Sequence, residues 1–354
     1  MTIYDLLSGS LTPNRYSATP IHQTINETHT MPLRTRPFAA ASSALLAFSF
    51  TAAQAQTWPD HPIKFVVPFG PGGANDLIAR VAAEGLSKRL GQPVVIENKP
   101  GAGAMIGAEY VAKSKPDGYT FLVGAAGVVT NKFLHKTMSY SDTDLVPVGM
   151  IAVAPSVIVV HPSLPVNNMK EFVAYAKSKG AEGISFSTAG SGSTPHFVAE
   201  MLKDASGANF NIIPFKSGQE GVNAVIGNQV TATSEASIVV IPQIKGGKLK
   251  AIATTYDRRI SSYMMIPTTA EEGYRSVSIG HWAGLFAPWG TPQPILEKMN
   301  TELQAALKTS ETINRLVPAG IEPASGSLAS FVEFIKTERE RLGRVAKKAG
   351  MTAE

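Results

Sequence analysis

The stretch Ile63-Lys-Phe-Val-Val-Pro-Phe-Gly-Pro-Gly-Gly-Ala-Asn-Asp76 joins a β-branched run to a glycine turn, and a helical pattern continues from about Asn75 to Leu90. It therefore predicts a strand, a tight turn and a helix in succession. A second turn of this kind, Ser187-Thr-Ala-Gly-Ser-Gly-Ser-Thr-Pro-His196, also follows a predicted strand and opens a helix. Strands and helices alternate along most of the chain, which predicts parallel α/β sheet with right-handed crossovers.

Two apolar runs, near 150–160 and 277–283, flank a complete α/β unit. A lobe that is interrupted by the insertion of another lobe needs two crossings, so we interpret these runs as hinge strands beside a cleft. The predicted fold is α/β with two lobes, each a mostly parallel sheet flanked by helices. Lobe 1 takes residues 56–155 plus 281–354, and lobe 2 takes residues 156–280. The alternative is one continuous doubly wound domain without a cleft.

The N-terminal region predicts export. Met31-Pro-Leu-Arg-Thr-Arg36 is basic, residues 38–50 are apolar, and Ala53-Gln-Ala55 supplies small residues for a signal peptidase. This pattern is typical of a secretory signal peptide over 31–55, which predicts a periplasmic product. The apolar run is shorter than the about 20 residues of a membrane span. Residues 1–30 form an extension, so translation starts at Met1 or Met31; a buried N-terminal helix is the alternative to the signal.

Composition removes several classes of function. The formal charge of +5 is scattered, and no basic run indicates nucleic acid. The chain has no cysteine, which excludes disulfides, thiol nucleophiles and thiolate zinc sites. The seven histidines lack metal-ligand spacing, so neither a metal nor a cofactor is predicted. Gly101-Ala-Gly-Ala-Met-Ile-Gly107 matches a dinucleotide loop loosely, but no acidic residue ends the next strand to bind a ribose.

The two glycine turns are candidate anion sites. Glycine allows a ligand to approach the backbone closely, and the first turn of a helix carries unpaired N–H groups and partial positive charge. Two such helix ends that face each other across a cleft would hold a carboxylate without any arginine. The alternative is that both are merely tight turns with capped helices, in which Asn75 or Asp76, and Ser193 or Thr194, act as caps.

Further motifs follow the first turn in order along the chain: Glu97-Asn-Lys-Pro-Gly-Ala-Gly103, Lys115-Pro-Asp-Gly-Tyr119 and Trp282-Ala-Gly-Leu-Phe-Ala-Pro-Trp-Gly-Thr-Pro292. From about Trp58 to the C-terminus the chain resembles the Bug family, the extracytoplasmic solute receptors of tripartite tricarboxylate transporters. The resemblance implies a type II periplasmic-binding-protein fold, non-catalytic capture of a small organic carboxylate, and hinge closure. It also implies two integral-membrane transporter subunits as partners; we expect a monomer.

In that family the loops that match residues 69–76 and 187–193 line the ligand site. From the turns, the resemblance and the neighbouring strand ends we select the candidate ligand-binding residues Phe69, Pro71, Gly72, Gly73, Ala74, Asn75, Asp76, Ala125, Ser187, Thr188, Ala189, Gly190, Ser191, Gly192, Ser193, Thr194, His196, Lys216, Ser234 and Glu235.

The chain departs from the family pattern at Ala74, Asn75 and the segment Val230-Thr-Ala-Thr-Ser-Glu235. Glu235 would repel a second carboxylate and accept an amine or a hydroxyl; an internal salt bridge, for example to Lys216, is the alternative. Two other functions stay open at this point. One is an α/β enzyme that acts through His196 or Glu235, and the other is a sensing module that docks a membrane regulator.

Overall fold

The computed structural model describes residues 58–141, 143–324 and 326–351, so the predicted signal peptide lies outside the described residues. In chain order, the elements are β1 (Ile63–Val67), α1 (Ala74–Leu90), β2 (Val94–Asn98), α2 (Met105–Ala112), β3 (Thr120–Gly124), α3 (Ala126–Leu134), β4 (Leu145–Val160), α4 (Met169–Ser178), β5 (Ile184–Thr188), α5 (Thr194–Ser206), β6 (Phe210–Pro214), α6 (Gly218–Ile226), β7 (Ala232–Ala236), α7 (Ser237–Lys245), β8 (Lys250–Thr254), β9 (Gly280–Pro288), α8 (Gln293–Leu307), α9 (Ser310–Leu316), β10 (Glu322–Pro323) and α10 (Leu328–Lys348). None of the helices in these ranges is long and apolar enough to cross a bilayer.

The strands hydrogen-bond in the order β2-β1-β3-β9-β4-β7-β5-β6, and β8 and β10 both pair with β4. At one end β1 runs parallel to β2 and β3, and at the other end β5 runs parallel to β6 and β7. The long strand β4 joins the two groups: residues 145–155 pair with β9, and residues 156–160 pair with β7, in both cases antiparallel. The predicted passage of one strand between two parallel sheets is therefore present in the structure.

Helices cover both faces of the parallel strands. Phe65 and Val67 of β1 belong to one buried apolar cluster, and Val66, between them in sequence, belongs to the other. A strand that is apolar on both faces is typical of a parallel sheet between two helical layers. The carboxyl ends of β1, β3, β5 and β6 are thus the edges at which the chain leaves the sheet and starts a helix.

The two groups of parallel strands contact each other across the cleft. The amide of Gly70, after β1, donates to the carbonyl of Lys216, after β6, at 3.1 Å. Gly103 packs so closely against the carbonyl oxygen of Ser191 that a Cβ there would overlap it. Glycine thereby allows backbone from the first sheet to touch the second glycine turn.

Helix α3 is an element that the sequence pattern did not predict. It contains Val128, Val129 and Thr130, whose β-branched side chains lower helix propensity, and it has no side-chain N-cap. Seven of its nine residues are buried. Packing on the sheet, and not the helix propensity of its residues, therefore stabilises α3. This helix brings a further helix N-terminus to the cleft.

Candidate functional site

The two glycine turns are built in the same way. Gly72 and Gly192 have φ of +77° and +73°, a region that glycine occupies without steric cost. Each is followed by an extended N-cap residue, Gly73 before α1 and Ser193 before α5. The sequence thus places one local structure twice, at the ends of β1 and β5.

In both turns a side chain four residues later accepts from the glycine amide. The amide of Gly72 donates to Asp76 Oδ2 at 3.0 Å, and the amide of Gly192 donates to His196 Nδ1 at 3.1 Å. Burial and the nearby Lys203 lower the pKa of His196 to about 4, so that Nδ1 stays an acceptor at neutral pH. Asp76 and His196 thus hold the turns in shape.

The carboxylate of Asp76 is fully engaged by the protein. Besides the Gly72 amide it accepts two bonds from Arg80, both at 2.9 Å, and one from Asn98 Nδ2 at 2.9 Å. Burial alone would raise the pKa of Asp76, but these donors outweigh it and hold the pKa below its usual value. No oxygen of Asp76 is left to face the cavity, and an anion there would meet little repulsion from it.

A cavity lies between the two turns, with a volume of about 350 Å³ when the open solvent space at its surface is included. Its wall consists of Phe69, Gly73, Ala74, Asn75, Ala125, Ala189, Ser193, Thr194, Pro195, Gly218, Glu235 and His281. The N-termini of α1, α3, α5 and α6 all reach this wall, since Gly73, Ala125 and Ser193 are N-caps and Gly218 is the first residue of α6. Residues from both strand groups therefore surround one space.

These helix ends make the cavity electropositive without cationic side chains. The first N–H groups of a helix have no partner within it, and each N-terminus carries about half a positive elementary charge. Among the described residues that line the cavity, none is lysine or arginine. Within residues 58–141, 143–324 and 326–351, no group of three or more His, Asp or Glu side chains could hold a metal ion. The arrangement fits an anion that is held by backbone amides.

Two polar side chains of the cavity wall are free to take part. The Thr194 hydroxyl makes no hydrogen bond to any described residue. Asn75 Nδ2 makes only a long contact of 3.5 Å with the carbonyl of Gly124. By contrast, Ser193 Oγ already donates to the carbonyl of Gly190 at 2.6 Å. We therefore expect Asn75 and Thr194 to complete the contacts of the amides to a ligand.

Glu235 and His281 form the buried base of the cavity. Nε2 of His281 lies 3.3 Å from Oε1 of Glu235 but lacks the alignment of a hydrogen bond. Oε1 accepts instead from the Ala236 amide at 2.8 Å. Burial raises the pKa of Glu235 to about 7 and lowers that of His281 to about 3, so burial favours the neutral form of each. The suggested salt bridge from Glu235 to Lys216 is wrong, because His281 is the side chain beside Glu235 and Lys216 is exposed.

Some candidate residues lie in a larger, more open space next to the cavity. This outer groove is lined by Gly190, Ser191 and Lys216 together with Gly101–Ala104 and His135, and its volume is about 980 Å³ when the open solvent space is included. Phe69 and Ala189 line both spaces. The outer groove thus adjoins the cavity at these two residues.

The remaining candidates line neither space: Pro71, Gly72, Asp76, Ser187, Thr188, Gly192, His196 and Ser234. The Ser234 hydroxyl lies 2.6 Å from that of Ser156 on β4, so Ser234 points away from the cavity. Ser187 packs against Gly221 of α6, and the Thr188 hydroxyl accepts from the Gly190 amide at 3.3 Å. The hydroxyls of Thr188 and Ser234 thus bond within the protein, whereas the buried Ser187 hydroxyl has no hydrogen-bond partner among the described residues.

The candidate residues omitted Pro195, Gly218 and His281, which all line the cavity. Gly218 had a usable signal, because Ser217-Gly-Gln-Glu220 after a strand is typical of a capping box, and the Glu220 amide does donate to Ser217 Oγ at 3.2 Å. A Cβ at Gly218 would overlap the Glu235 carboxylate, so glycine makes room for that side chain. His281 lies within an apolar run and carried no signal.

The family model for the tripartite tricarboxylate transporter family receptor, TctC, matches residues 78–351. The chain belongs to this receptor family. Similar solved structures share the two-lobed periplasmic-binding-protein fold. The periplasmic binding protein BugD is 34% identical, with a TM-score of 0.80, and the match covers 84% of this chain and 100% of BugD.

Two of these receptor structures contain acids. Rpa4515 of R. palustris, with adipate, is 33% identical with a TM-score of 0.81, and the match covers 84% of this chain and 100% of Rpa4515. MatC of Rhodopseudomonas palustris, with bound malate, is 29% identical with a TM-score of 0.76, over 81% of this chain and 99% of MatC. The TctC receptor described here is therefore a Bug-type solute-binding protein and not an enzyme.

Proposed function

We propose that this TctC receptor captures a small organic carboxylate in the cavity between its two lobes, in the periplasm, and delivers it to the two membrane subunits of a tripartite tricarboxylate-type transporter. The observation that carries the proposal is the convergence of the N-termini of α1, α3, α5 and α6 on one buried space. Adipate and malate in the related receptors are acids of the same class.

The contacts of the headgroup follow from the free donors. One carboxylate oxygen is held by the first amides of α1 and by Asn75, and the other by the Thr194 amide and hydroxyl. A hydrogen bond to a charged group contributes about 1.5–3 kcal/mol, so three or four of them suffice for micromolar affinity after the loss of translational and rotational freedom. Since these donors come from both lobes, the bound acid favours the closed state.

Titration calorimetry of the purified protein with mono-, di- and tricarboxylates tests capture. We expect at least one acid to bind with micromolar affinity, and Thr194→Val to weaken it by roughly 10- to 100-fold through the loss of one charged hydrogen bond. Ser206→Ala, at the far end of the same helix, is the control and should leave binding unchanged. A panel in which no carboxylate binds would overturn the proposal.

Delivery needs a separate test. Vesicles that contain the two membrane subunits should take up a labelled acid when the wild-type receptor is added. A variant that cannot bind the acid should give no uptake. Uptake that does not depend on the receptor would exclude the transport role and leave only ligand capture.

A further inference from the structure

Glu235 and His281 come from different strands on either side of the hinge strand β4. Glu235 lies on β7 opposite Val157, and His281 lies on β9 opposite Ala154, three residues earlier on β4. Both are buried, with 2% and 7% of their surfaces exposed, and both line the cavity. The fold thus holds an acid and an imidazole together at the end of the cavity that belongs to the hinge.

This pair is not satisfied within the protein. His281 Nε2 is buried and makes no hydrogen bond, and Glu235 Oε2 makes none to any described residue. Buried polar atoms without a partner are uncommon, because each costs the desolvation of its group. A pair that served only to stabilise the hinge would be expected to bond to each other or to the strands. Unpartnered polar atoms on two side chains that line a cavity instead indicate contact with a ligand.

The charges around the pair limit what that ligand group can be. Of the residues in the cavity wall, Glu235 and His281 are the two that titrate, and the described wall offers no lysine or arginine to balance a second anion. Asp76 on α1 and His196 on α5 are bonded to their own turns, and Lys216 lies on the outer groove. Burial keeps both members of the pair neutral until the pKa of Glu235, about 7, is passed. A second carboxylate would lose its hydration there with no cation in the described wall to offset that cost, and it would be repelled by Glu235 once that side chain ionises.

We propose that Glu235 and His281 form a distal subsite that selects carboxylates whose other end is a hydroxyl or an ammonium group and rejects those that end in a second carboxylate. This inference rests on the proposed function, in which the helix N-termini hold the first carboxylate. A hydroxyl donates to Glu235 and accepts from His281, or the reverse. An ammonium group pairs with ionised Glu235, and the Glu235 proton passes to the solvent on binding.

Matched ligands test this selectivity by calorimetry at pH 6.5. The four-carbon series is butyrate, 4-hydroxybutyrate, 4-aminobutyrate and succinate, and the six-carbon series is hexanoate, 6-hydroxyhexanoate, 6-aminohexanoate and adipate. We expect the hydroxy or amino acid of at least one series to bind at least tenfold more tightly than the dicarboxylate of equal length. Calorimetry in buffers with different ionisation enthalpies measures how many protons are released on binding. Binding of the amino acid should release a proton, and binding of the hydroxy acid should not.

The variants Glu235→Gln and His281→Gln connect the preference to the pair. Each should reduce, by about tenfold, the ratio of affinities between the hydroxy or amino acid and the dicarboxylate of equal length. Glu338→Gln changes a buried glutamate that bonds to Arg341 on α10, outside the cavity, and should leave the ratio unchanged. Far-ultraviolet circular dichroism and thermal melting establish that each variant is folded.

Equal or tighter binding of the dicarboxylates by the wild type would overturn the distal subsite, as would an unchanged ratio in both variants. In either of these results the carboxylate headgroup still binds, and the proposed function stands. Failure of every acid, including butyrate and hexanoate, would overturn the proposed function itself and the subsite with it.

Discussion

Replacing Glu235 by glutamine should change how the stability of the receptor depends on pH. The pKa of Glu235 is raised from 4.5 to about 7 in the folded protein, mainly because burial disfavours the charged form. Between these two values the folded state keeps a proton that the unfolded state has released. The contribution of the neutral acid is therefore fully present below about pH 4.5 and is lost as the pH rises through about 7.

The size of the effect follows from the difference of about 2.5 pKa units. At about 1.4 kcal/mol per unit, ionisation of Glu235 costs about 3 kcal/mol of folding free energy by pH 7.5. Glutamine does not titrate, so the free energy of unfolding of Glu235→Gln, relative to the wild type, should rise by about this amount between pH 4.5 and 7.5. The pKa of His281 is lowered to about 3, so its contribution to the stability of the protein is lost as the pH falls below 6.5. Because His281 is present in both proteins, this contribution largely cancels in the difference.

Urea unfolding at pH 4.5, 6.0 and 7.5, for both proteins and without ligand, measures this difference. Asp76→Asn is the control for the sign. The pKa of Asp76 is held below its usual value, so the stability that Asp76 contributes is lost as the pH falls, the reverse of Glu235. If the difference between wild type and Glu235→Gln were constant over this range, Glu235 would not be kept neutral by burial, and the protonation state assigned to the Glu235–His281 pair would be refuted.

Two glycine substitutions have matched controls on the same helices. Gly192→Ala should weaken carboxylate binding more than Gly207→Ala in titration calorimetry. Both glycines have positive φ, but a Cβ at Gly192 would lie 2.7 Å from Leu134 Cδ1, whereas a Cβ at Gly207 would have no atom within 4 Å. Equal losses of affinity would indicate that the turn at Gly192 is only a tight turn. Gly218→Ala should displace the glutamate at the base of the cavity and reduce binding, whereas Gly227→Ala at the other end of α6 should be neutral in the same assay. Unchanged affinity in the Gly218 variant would show that the space beside it is not used.

Local patterns were sufficient to predict both glycine turns and the strand that passes between the sheets. The turns follow from glycine at the carboxyl end of a parallel strand. The sixteen residues of β4 carry no polar side chain except Ser156, and β4 is longer than any other strand of the described chain. Helix α3 could not be predicted in this way, because its β-branched residues are helical only through their packing.

The side chains of the site were harder to predict than its backbone. Neighbouring positions on β7 point in opposite directions, so Ser234 bonds to β4 while Glu235 enters the cavity. His281 approaches Glu235 only through strand pairing between distant parts of the chain, which no local pattern encodes. The turns locate the cavity from sequence, but the side chains at its base depend on the tertiary structure.

A crystal structure of the receptor with a bound acid tests the central claim most directly. The account predicts a carboxylate in the smaller cavity, with its oxygens about 3 Å from the first amides of α1 and α5 and close to the side chains of Asn75 and Thr194. A carboxylate in the outer groove, bound to Lys216 and away from these helix ends, would contradict it.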